Sequence, residues 1–231
     1  MRTLCLFALV LACGSSAPGE SWIKLFNGKS LKGWSIHSGK ATYAVEKGTI
    51  LGTAVQTKPQ ANTFLCTDRE FGDFVLEFEV KCDVDLNSGV QFRSLIAPKE
   101  MEFKATNREG KEILRKIPSD RVYGYQVEIG AKKSGNSGNI YDEARRGRFL
   151  DDFKDRPAAR DAFKDGEWNK YRVEAVGDSI KTSVNQVPCA DFKDSVTSKG
   201  TICLQVHGIP PDKFKPYQVR WRNIRIREVK R

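Results

Sequence analysis

The chain has 231 residues and a mass of 26.0 kDa, with 39% hydrophobic and 29% charged residues. This balance fits one sizeable globular core and excludes a wholly disordered chain. No apolar run reaches the roughly 18 residues of a membrane-spanning helix, which excludes a multi-span membrane protein. The formal net charge is +10. Because the basic residues alternate with acidic ones and form no single block, we expect no nucleic-acid partner.

The N-terminal segment, residues 1–19, has the pattern of an export signal. Arg2 supplies a positive start, an apolar run extends to Ala12, and small residues follow. Two processing routes fit this pattern. Cleavage near Ala17 would release the mature chain, whereas the string VLAC ending at Cys13 resembles the lipobox of bacterial lipoproteins. Both routes predict an extracytoplasmic domain over residues 20–231, and the second adds a lipid anchor at Cys13 as the only link to a membrane.

The rest of the chain has the alternation typical of β-strands. The clearest run is Phe74–Lys81, in which apolar residues alternate with polar ones, so that one face is buried. In chain order, similar runs occur at Thr42–Val45, Thr49–Leu51, Gly89–Arg93, Tyr123–Ile129, Lys170–Val176, Ser179–Val184, Thr201–Val206 and Val219–Val229. Many strands separated by short Gly- and Asn-containing turns predict one all-β domain, a sandwich or a barrel.

Two segments interrupt the strands. The segment Ala97–Arg121 is long and highly charged, and Asp151–Lys164 is rich in Asp, Arg and Ala. We expect both to be surface loops that could wall a cleft, with a short helix in the second.

Four cysteines lie beyond the N-terminal signal: Cys66, Cys82, Cys189 and Cys203. An even number in an exported chain permits disulfides in three pairings, and Cys66 and Cys82 flank one predicted strand. Buried free thiols are the alternative. The chain has no C-x-x-C pair, so a structural zinc site is not expected.

Three predicted strands each carry a glutamine followed, two residues later, by an ionisable group. Residues two apart share a face of a strand. If the strands are neighbours, one sheet face would hold a cation, a carboxylate and an imidazole above a floor of amides, which would suit a sugar-binding groove with an acid/base pair. The alternative is a solvated outer face. The pairs are Gln91 with Arg93, Gln126 with Glu128, and Gln205 with His207.

The ionisable members of these pairs each have a structural alternative. An imidazole such as His207 can move protons at neutral pH, or it can be an ordinary hydrogen-bonded histidine. Glu128 could be a general base if it is desolvated, or a structural carboxylate paired with Arg93. The common motifs of serine hydrolases, phosphate-binding loops and zinc proteases are absent from the sequence, as is the two-carboxylate strand motif of retaining glucanases.

Strings along nearly the whole chain resemble the 3-keto-disaccharide hydrolase domain family, a jelly-roll relative of the concanavalin A-like lectins and glucanases. Two departures are Asn185-Gln186, where relatives often have Asn-Gly, and the long Ala97–Arg121 segment. The similar strings are LFNGKSL (25–31), NSGVQFR (87–93), GYQVEI (124–129), GNIYDEARRG (138–147), GEWNKYR (166–172), LQVHG (204–208) and VRWRNIRI (219–226).

The resemblance implies a two-sheet antiparallel β-sandwich with a concave carbohydrate-binding face, and cleavage of a glycoside that carries a ketone at C3. A C3 ketone acidifies the C2 proton, so a base can remove it and the C1 substituent can leave. On this hypothesis Glu128 or His207 is the base and the other is the acid, while Arg93 stabilises the enolate.

The remaining site residues are the glutamines of the three strand pairs and three residues of the family-like central string. Gln91, Gln126 and Gln205 would bind the sugar, and Tyr141, Asp142 and Arg146 of the central loop would close over it. No cofactor is required by the sequence. A divalent metal is compatible with Glu128, His207 and Asp142 as ligands, although no ligand spacing demands one.

Two other functions fit the sequence. One is a non-catalytic carbohydrate-binding module with Trp34, Trp168 or Trp221 as an aromatic platform. The other is a basic surface protein that binds acidic polysaccharide, motivated by the arginines at 220, 222, 225 and 227.

Overall fold

The computed structural model describes residues 21–57, 60–106, 110–210, 212 and 215–230. Apart from one short helix, α1 (Pro157–Arg160), and a 3₁₀ turn at Lys132–Ser134, the regular structure is β. The strands are β1 (Ile23–Lys24), β2 (Trp34–Ser38), β3 (Thr42–Glu46), β4 (Thr49–Thr53), β5 (Thr63–Thr67), β6 (Phe74–Cys82), β7 (Ser88–Ile96), β8 (Met101–Thr106), β9 (Glu112–Ile117), β10 (Val122–Ile129), β11 (Ile140–Glu143), β12 (Asn169–Val176), β13 (Ser179–Val184), β14 (Val187–Lys193), β15 (Thr201–Val206) and β16 (Gln218–Glu228).

Two antiparallel sheets form the sandwich. The eight-stranded sheet has the order β14-β13-β12-β6-β16-β4-β3, with β1 also paired to β16. The six-stranded sheet has the order β11-β10-β7-β15-β5-β2. The core between them takes the apolar side of each alternating strand, such as Leu76, Phe78 and Val80 from β6 and Val90 and Phe92 from β7. The predicted all-β sandwich is confirmed.

Every strand run predicted from alternation coincides with a strand, and α1 lies in the segment expected to hold a short helix. The strands not predicted from alternation are β1, β2, β5, β8, β9, β11 and β14, of which β8 and β9 lie in the segment expected to be a loop. Thr63–Thr67, for example, is buried on both faces, so its sequence does not alternate between apolar and polar residues.

The charged segment Ala97–Arg121 is not a simple loop. It contains the antiparallel hairpin β8–β9, whose Met101, Phe103 and Ile117 pack with Leu95 and Tyr123 at the ends of β7 and β10. Beside the segment, Ile96 of β7 and Val122 of β10 pack against Phe64 on the outer face of the six-stranded sheet, the face away from the core. The N–H of Val122 donates to Ser38 Oγ at 3.2 Å, which ties the segment to edge strand β2.

A disulfide joins Cys66 of β5 to Cys203 of β15, which lie directly opposite each other. Cys82 and Cys189 are buried thiols with no disulfide partner among the described residues. Of the open alternatives, the structure therefore combines one disulfide with two buried thiols, and the partner of Cys66 comes from a neighbouring strand that is remote in sequence.

The predicted signal segment and the lipid-anchor site at Cys13 lie outside the described residues. In the part of the chain that the structure describes, no helix has the length and apolar character needed to cross a bilayer.

Candidate active site

A chain of side-chain hydrogen bonds crosses the outer face of the six-stranded sheet. Ser94 Oγ donates to Gln91 Oε1 at 2.8 Å, and Gln91 Nε2 donates to Gln126 Oε1 at 2.8 Å. Gln126 Nε2 then donates to Glu128 Oε2 at 3.0 Å, and Asn87 Nδ2 donates to the other carboxylate oxygen. The chain of amides thus ends at a carboxyl group that accepts hydrogen bonds on both oxygens.

Strand register and a glycine place this network. Gln126 lies opposite Gln91, and Glu128 lies opposite Gly89. A Cβ at Gly89 would lie 2.3 Å from Cδ of Gln126, so only glycine leaves room for that amide to lie over the strand. The side chains that alternation puts on one face of β7 and of β10 are therefore in contact across the two strands.

Glu128 has the environment of a proton-transfer group. Its side chain is buried, and burial raises its pKa from an ordinary 4.5 to about 7, although the hydrogen bonds from Asn87 and Gln126 oppose the rise. The negative charge of Glu143 raises the pKa further. A carboxyl group with a pKa near 7 can both accept and release a proton at neutral pH.

Gln205 lies on the same face, opposite Gly89 on the other side of β7. Its side chain is fully buried, and neither its amide oxygen nor its amide nitrogen has a hydrogen-bond partner among the described residues. Buried amides are nearly always paired, because an unpaired one loses its hydrogen bonds to water without replacement. This amide is therefore suited to a ligand that brings its own hydroxyl groups.

Sequence reasoning missed three residues of this face: Asn62, Arg121 and Glu143. Glu143 Oε1 accepts hydrogen bonds from the Arg121 guanidinium and, at 3.3 Å, from Asn62 Nδ2. The Arg121 guanidinium also lies over the ring of Phe64, 5.2 Å from its centroid. The only sequence signal was that Arg121 ends the long charged segment and that Glu143 belongs to the family-like central string.

His207 lies just beyond the end of β15, two strands from Glu128. Its Nδ1 is 2.7 Å from the carbonyl oxygen of Gly208, so an Nδ1–H that donates there leaves Nε2 to exchange protons. His207 lines a cavity of about 550 Å³ together with Asn62 and Arg121. Asn62 also accepts from the N–H of Gly208 at 3.1 Å, so Asn62 contacts both the residue next to His207 and the carboxylate of Glu143.

Tyr141 contributes an aromatic edge to the same face. It lies on edge strand β11 opposite Gln126, and it packs edge-on against Phe149 with ring centroids 5.3 Å apart. Both rings are half-buried. Such a partly exposed aromatic pair beside hydrogen-bonding amides suits the mixed polar and apolar faces of a sugar ring.

The expectation that Arg93 joins this group is wrong. Its φ is 45°, and the local irregularity breaks the alternation of β7 and turns the side chain away. The fully buried guanidinium donates to Asp73 Oδ1 at 2.7 Å and to the carbonyl oxygens of Gly72 and Gly177 at 2.8 and 2.7 Å. Arg93 therefore ties the six-stranded sheet to turns of the eight-stranded sheet.

Asp142 and Arg146 also do not close over this face. Asp142 lies opposite Tyr125, whose ring belongs to the core, and it is fully buried. It accepts hydrogen bonds from Arg145 and Arg146, and Arg146 Nη1 donates to Asp194 at 2.6 Å. The pair is part of a buried charge network on the opposite side of β11 from Tyr141.

The suggested metal ligands are likewise separated, because Asp142 faces away from Glu128 and His207. Among the described residues, no group of three or more His, Cys, Asp or Glu side chains is arranged to hold a metal ion.

The tryptophans proposed as a sugar platform lie elsewhere. Trp34 and Trp221 are buried in the core cluster. Trp168 lies under the guanidinium of Arg222, a residue of β16 in the eight-stranded sheet, with 4.0 Å between the guanidinium carbon and the ring centroid.

Solved structures similar to this chain share its fold. A protein from Parabacteroides distasonis ATCC 8503, described provisionally as a glycosyl hydrolase, has a TM-score of 0.55 at 17% identity, covering 91% of this chain and 95% of that one. A Bacillus subtilis protein of unknown function with a galectin-like fold has a TM-score of 0.51 at 12% identity, covering 91% and 96%. The carbohydrate recognition domain of Emp47p has a TM-score of 0.51 at 13% identity, covering 92% and 97%.

A search of curated protein sequences finds no match to this chain. The family model of the 3-keto-alpha-glucoside-1,2-lyase-like domain, in contrast, matches residues 21–227, nearly the whole chain. This match supports a carbohydrate-related function. The chain belongs to the 3-keto-alpha-glucoside-1,2-lyase-like domain family.

Proposed function

We propose that this protein cleaves glycosides that carry a ketone at C3, by elimination of the C1 substituent followed by addition of water. Family membership supports the substrate class. The observation that carries the chemistry is Glu128, a buried carboxyl group with a pKa of about 7 at the end of an amide chain on the outer face of the six-stranded sheet.

The first step is removal of the C2 proton. The ketone at C3 acidifies this proton, and the Glu128 carboxylate accepts it. The electron pair of the C2–H bond then forms a C2=C3 double bond, and the C3 oxygen becomes an enolate oxyanion. Because burial already brings the pKa of Glu128 to about 7, the carboxylate is a stronger base than an exposed glutamate.

The second step is loss of the C1 substituent. The enolate electrons form a C1=C2 double bond and restore the C3 ketone while the C1–O bond breaks, with its electron pair going to the leaving oxygen. His207 donates the proton to that oxygen through Nε2 when its ring is charged. Water then adds to the unsaturated ketone and yields the free 3-keto sugar.

Sugar recognition on this proposal uses the amides and the aromatic edge. The unpaired amide of Gln205 supplies one donor and one acceptor to sugar hydroxyl groups. The Tyr141–Phe149 pair contacts an apolar face of the sugar. Gln91 and Gln126 orient Glu128 through their hydrogen-bond chain.

The test is turnover of 3-keto-disaccharides in heavy water. We expect free sugars to appear, with deuterium at C2 of the keto product, and we expect Glu128→Gln to abolish both. Glu77→Gln, which alters a carboxylate of the eight-stranded sheet paired with Arg225 at 2.6 Å, serves as the matched control and should leave turnover unchanged. Retention of the original hydrogen at C2 through turnover would refute the elimination mechanism.

A binding-only function is the second candidate. The Tyr141–Phe149 pair lies at the edge of the outer face, while the Gln205 amide is fully buried. A sugar could therefore bind to the aromatic pair without contacting that amide. Binding of 3-keto-disaccharides without any release of product, and with equal affinity in Glu128→Gln, would favour this candidate over catalysis.

We also propose an extracytoplasmic location. The N-terminal sequence supports it, and the Cys66–Cys203 disulfide is of a kind that persists in oxidising compartments. Cell fractionation tests the location. Metabolic labelling with a radiolabelled fatty acid, compared between the natural chain and Cys13→Ser, distinguishes a lipid anchor from simple cleavage.

A further inference from the structure

The proposed reaction leaves an enolate oxyanion that needs a cation, and Arg93 cannot serve because it is buried in contacts with the eight-stranded sheet. Arg121 is a cation on the correct face. Its side chain is 21% exposed and contacts Glu143 and the ring of Phe64. Among the described residues that line the His207 cavity, Arg121 is the one with a permanent positive charge.

The charges around Arg121 join it to the proton-transfer group. Glu143 is its direct partner, and the same Glu143 raises the pKa of Glu128 through its charge. Glu143 lies opposite Gly124 of β10, and the alternation of that strand puts Gly124, Gln126 and Glu128 on one face, so the Arg121–Glu143 pair and Glu128 share the outer face. An oxyanion formed on this face would add a second negative charge to that of Glu143, and Arg121 is the partner of the first.

The main chain around Arg121 is fixed by several contacts. Its carbonyl oxygen accepts from the N–H of Ala97 at 3.0 Å. The preceding residue, Asp120, accepts from the N–H of Ser38 at 2.8 Å, and its Oδ1 lies 2.6 Å from His37 Nδ1. These contacts hold the end of the Ala97–Arg121 segment against edge strand β2. A donor whose backbone is held before the reaction stabilises a developing charge without a reorganisation cost.

We infer that Arg121 is a catalytic residue that donates hydrogen bonds to the C3 oxygen of the substrate as this oxygen becomes an enolate. The inference rests on the proposed function. Arg121 forms no covalent bond, and the electron pair from C2–H resides on the C3 oxygen until C1–O breaks. A guanidinium has five N–H donors, so Arg121 can keep its contact with Glu143 and still donate to the substrate.

The experiment compares Arg121→Met, Arg121→Lys and Arg121→Gly with the natural protein, using a 3-keto-disaccharide. Cleavage and C2 deuterium exchange are followed by NMR, and binding of the unoxidised parent disaccharide is measured by calorimetry. We expect Arg121→Met to slow cleavage and exchange by about 10²- to 10³-fold, the size of effect seen when one oxyanion donor is removed. Parent-sugar affinity should change only a few-fold, and Arg121→Lys should be intermediate.

Guanidinium rescue separates a catalytic role from a structural one. Millimolar guanidinium added to Arg121→Gly should restore part of the cleavage rate, and this readout holds even if Arg121→Met folds poorly. Arg220→Met is the control, because Arg220 pairs with Glu46 at 2.8 Å on the eight-stranded sheet. It should cleave at the natural rate.

The outcomes distinguish this inference from the function on which it rests. If the natural protein cleaves the substrate and Arg121→Met is equally fast, the inference is overturned and the proposed function stands. If the variants lose binding and cleavage in parallel and guanidinium restores neither, Arg121 is structural and the inference is again overturned. If the natural protein neither cleaves 3-keto-glycosides nor exchanges C2 hydrogen, the proposed function fails and takes the inference with it.

Discussion

Replacement of Glu128 by glutamine should make the protein more stable at alkaline pH while it removes activity. Glutamine keeps the shape of the side chain and cannot ionise. The natural carboxyl group, in contrast, must ionise in a buried position once the pH exceeds its pKa of about 7. A residue that lowers stability at working pH, yet is placed by a network of four polar side chains, is typical of a functional site.

The magnitude follows from the raised pKa. In the unfolded chain Glu128 titrates near its ordinary 4.5, and in the folded protein near 7. Below pH 4.5 the group is protonated in both states and contributes its full stabilisation. As pH rises to 7, unfolding releases a proton and the stabilisation is lost. At about 1.4 kcal/mol for each unit of pKa difference, the loss is about 3 kcal/mol.

The assay is urea unfolding of the natural protein and Glu128→Gln at about pH 4 and pH 8, two values that bracket the titration. The difference in unfolding free energy should shift by about 3 kcal/mol in favour of the variant across this range. Other titrating groups are common to both proteins, so their contributions cancel in the difference. Equal pH profiles would refute the argument that Glu128 titrates near neutrality.

Glu77→Gln provides a control of opposite sign. Burial raises the pKa of Glu77, but hydrogen bonds from Arg225 and Arg172 and the charge of Lys170 outweigh it, so the pKa is lowered overall. Its stabilisation is therefore present above the ordinary pKa of 4.5 and lost as the pH falls below it. Glu77→Gln should thus lose stability at pH 8 and approach the natural protein in acid.

Three further changes test other contacts. Arg93→Met should lower the unfolding free energy by about 3–5 kcal/mol because it removes the buried guanidinium that Asp73 and two carbonyl groups contact, whereas the partly exposed control Arg220→Met should cost less than about 1 kcal/mol. Chemical denaturation measures both, and a near-natural value for Arg93→Met would contradict the structural role assigned to it. Removing the disulfide with Cys66→Ser and Cys203→Ser should cost about 2–4 kcal/mol, because it closes a sequence separation of 137 residues; a reductant should lower the Tm of the natural protein and leave that of the double variant unchanged. Gly89→Ala should displace the amide that lies over it, cost roughly 1–3 kcal/mol and slow turnover; natural activity and stability together would show that the amide chain is dispensable.

Alternation along each strand was sufficient to predict much of the candidate site. Period-two patterns in β7 and β10 correctly placed Gln91, Gln126 and Glu128 on one face, and their hydrogen-bond chain shows that the strands are neighbours. The pattern failed at Arg93, where a positive φ interrupts the pleat. Local sequence does not reveal such an irregularity, because it depends on the pairing of β7 with β15.

Contacts between distant parts of the chain could not be predicted in the same way. Glu143 meets Asn62 across 81 residues of sequence, and Arg121 reaches it from the end of a segment that looked like an open loop. Ile96 and Val122, which flank the segment, pack against Phe64, and that apolar surface exists only once β5, β15, β7 and β10 have paired.

By itself, the sequence determined the all-β class, the longer strands of the two sheets and the family, since these depend on local periodicity and on strings that can be compared residue by residue. Tertiary structure alone decided which carboxylate Arg121 contacts, which cysteines pair, and that Arg93 turns away from the amides. The physical reason is that side-chain direction is set within a strand, whereas burial, charge partners and the raised pKa of a carboxyl group are set by what the rest of the fold brings against it.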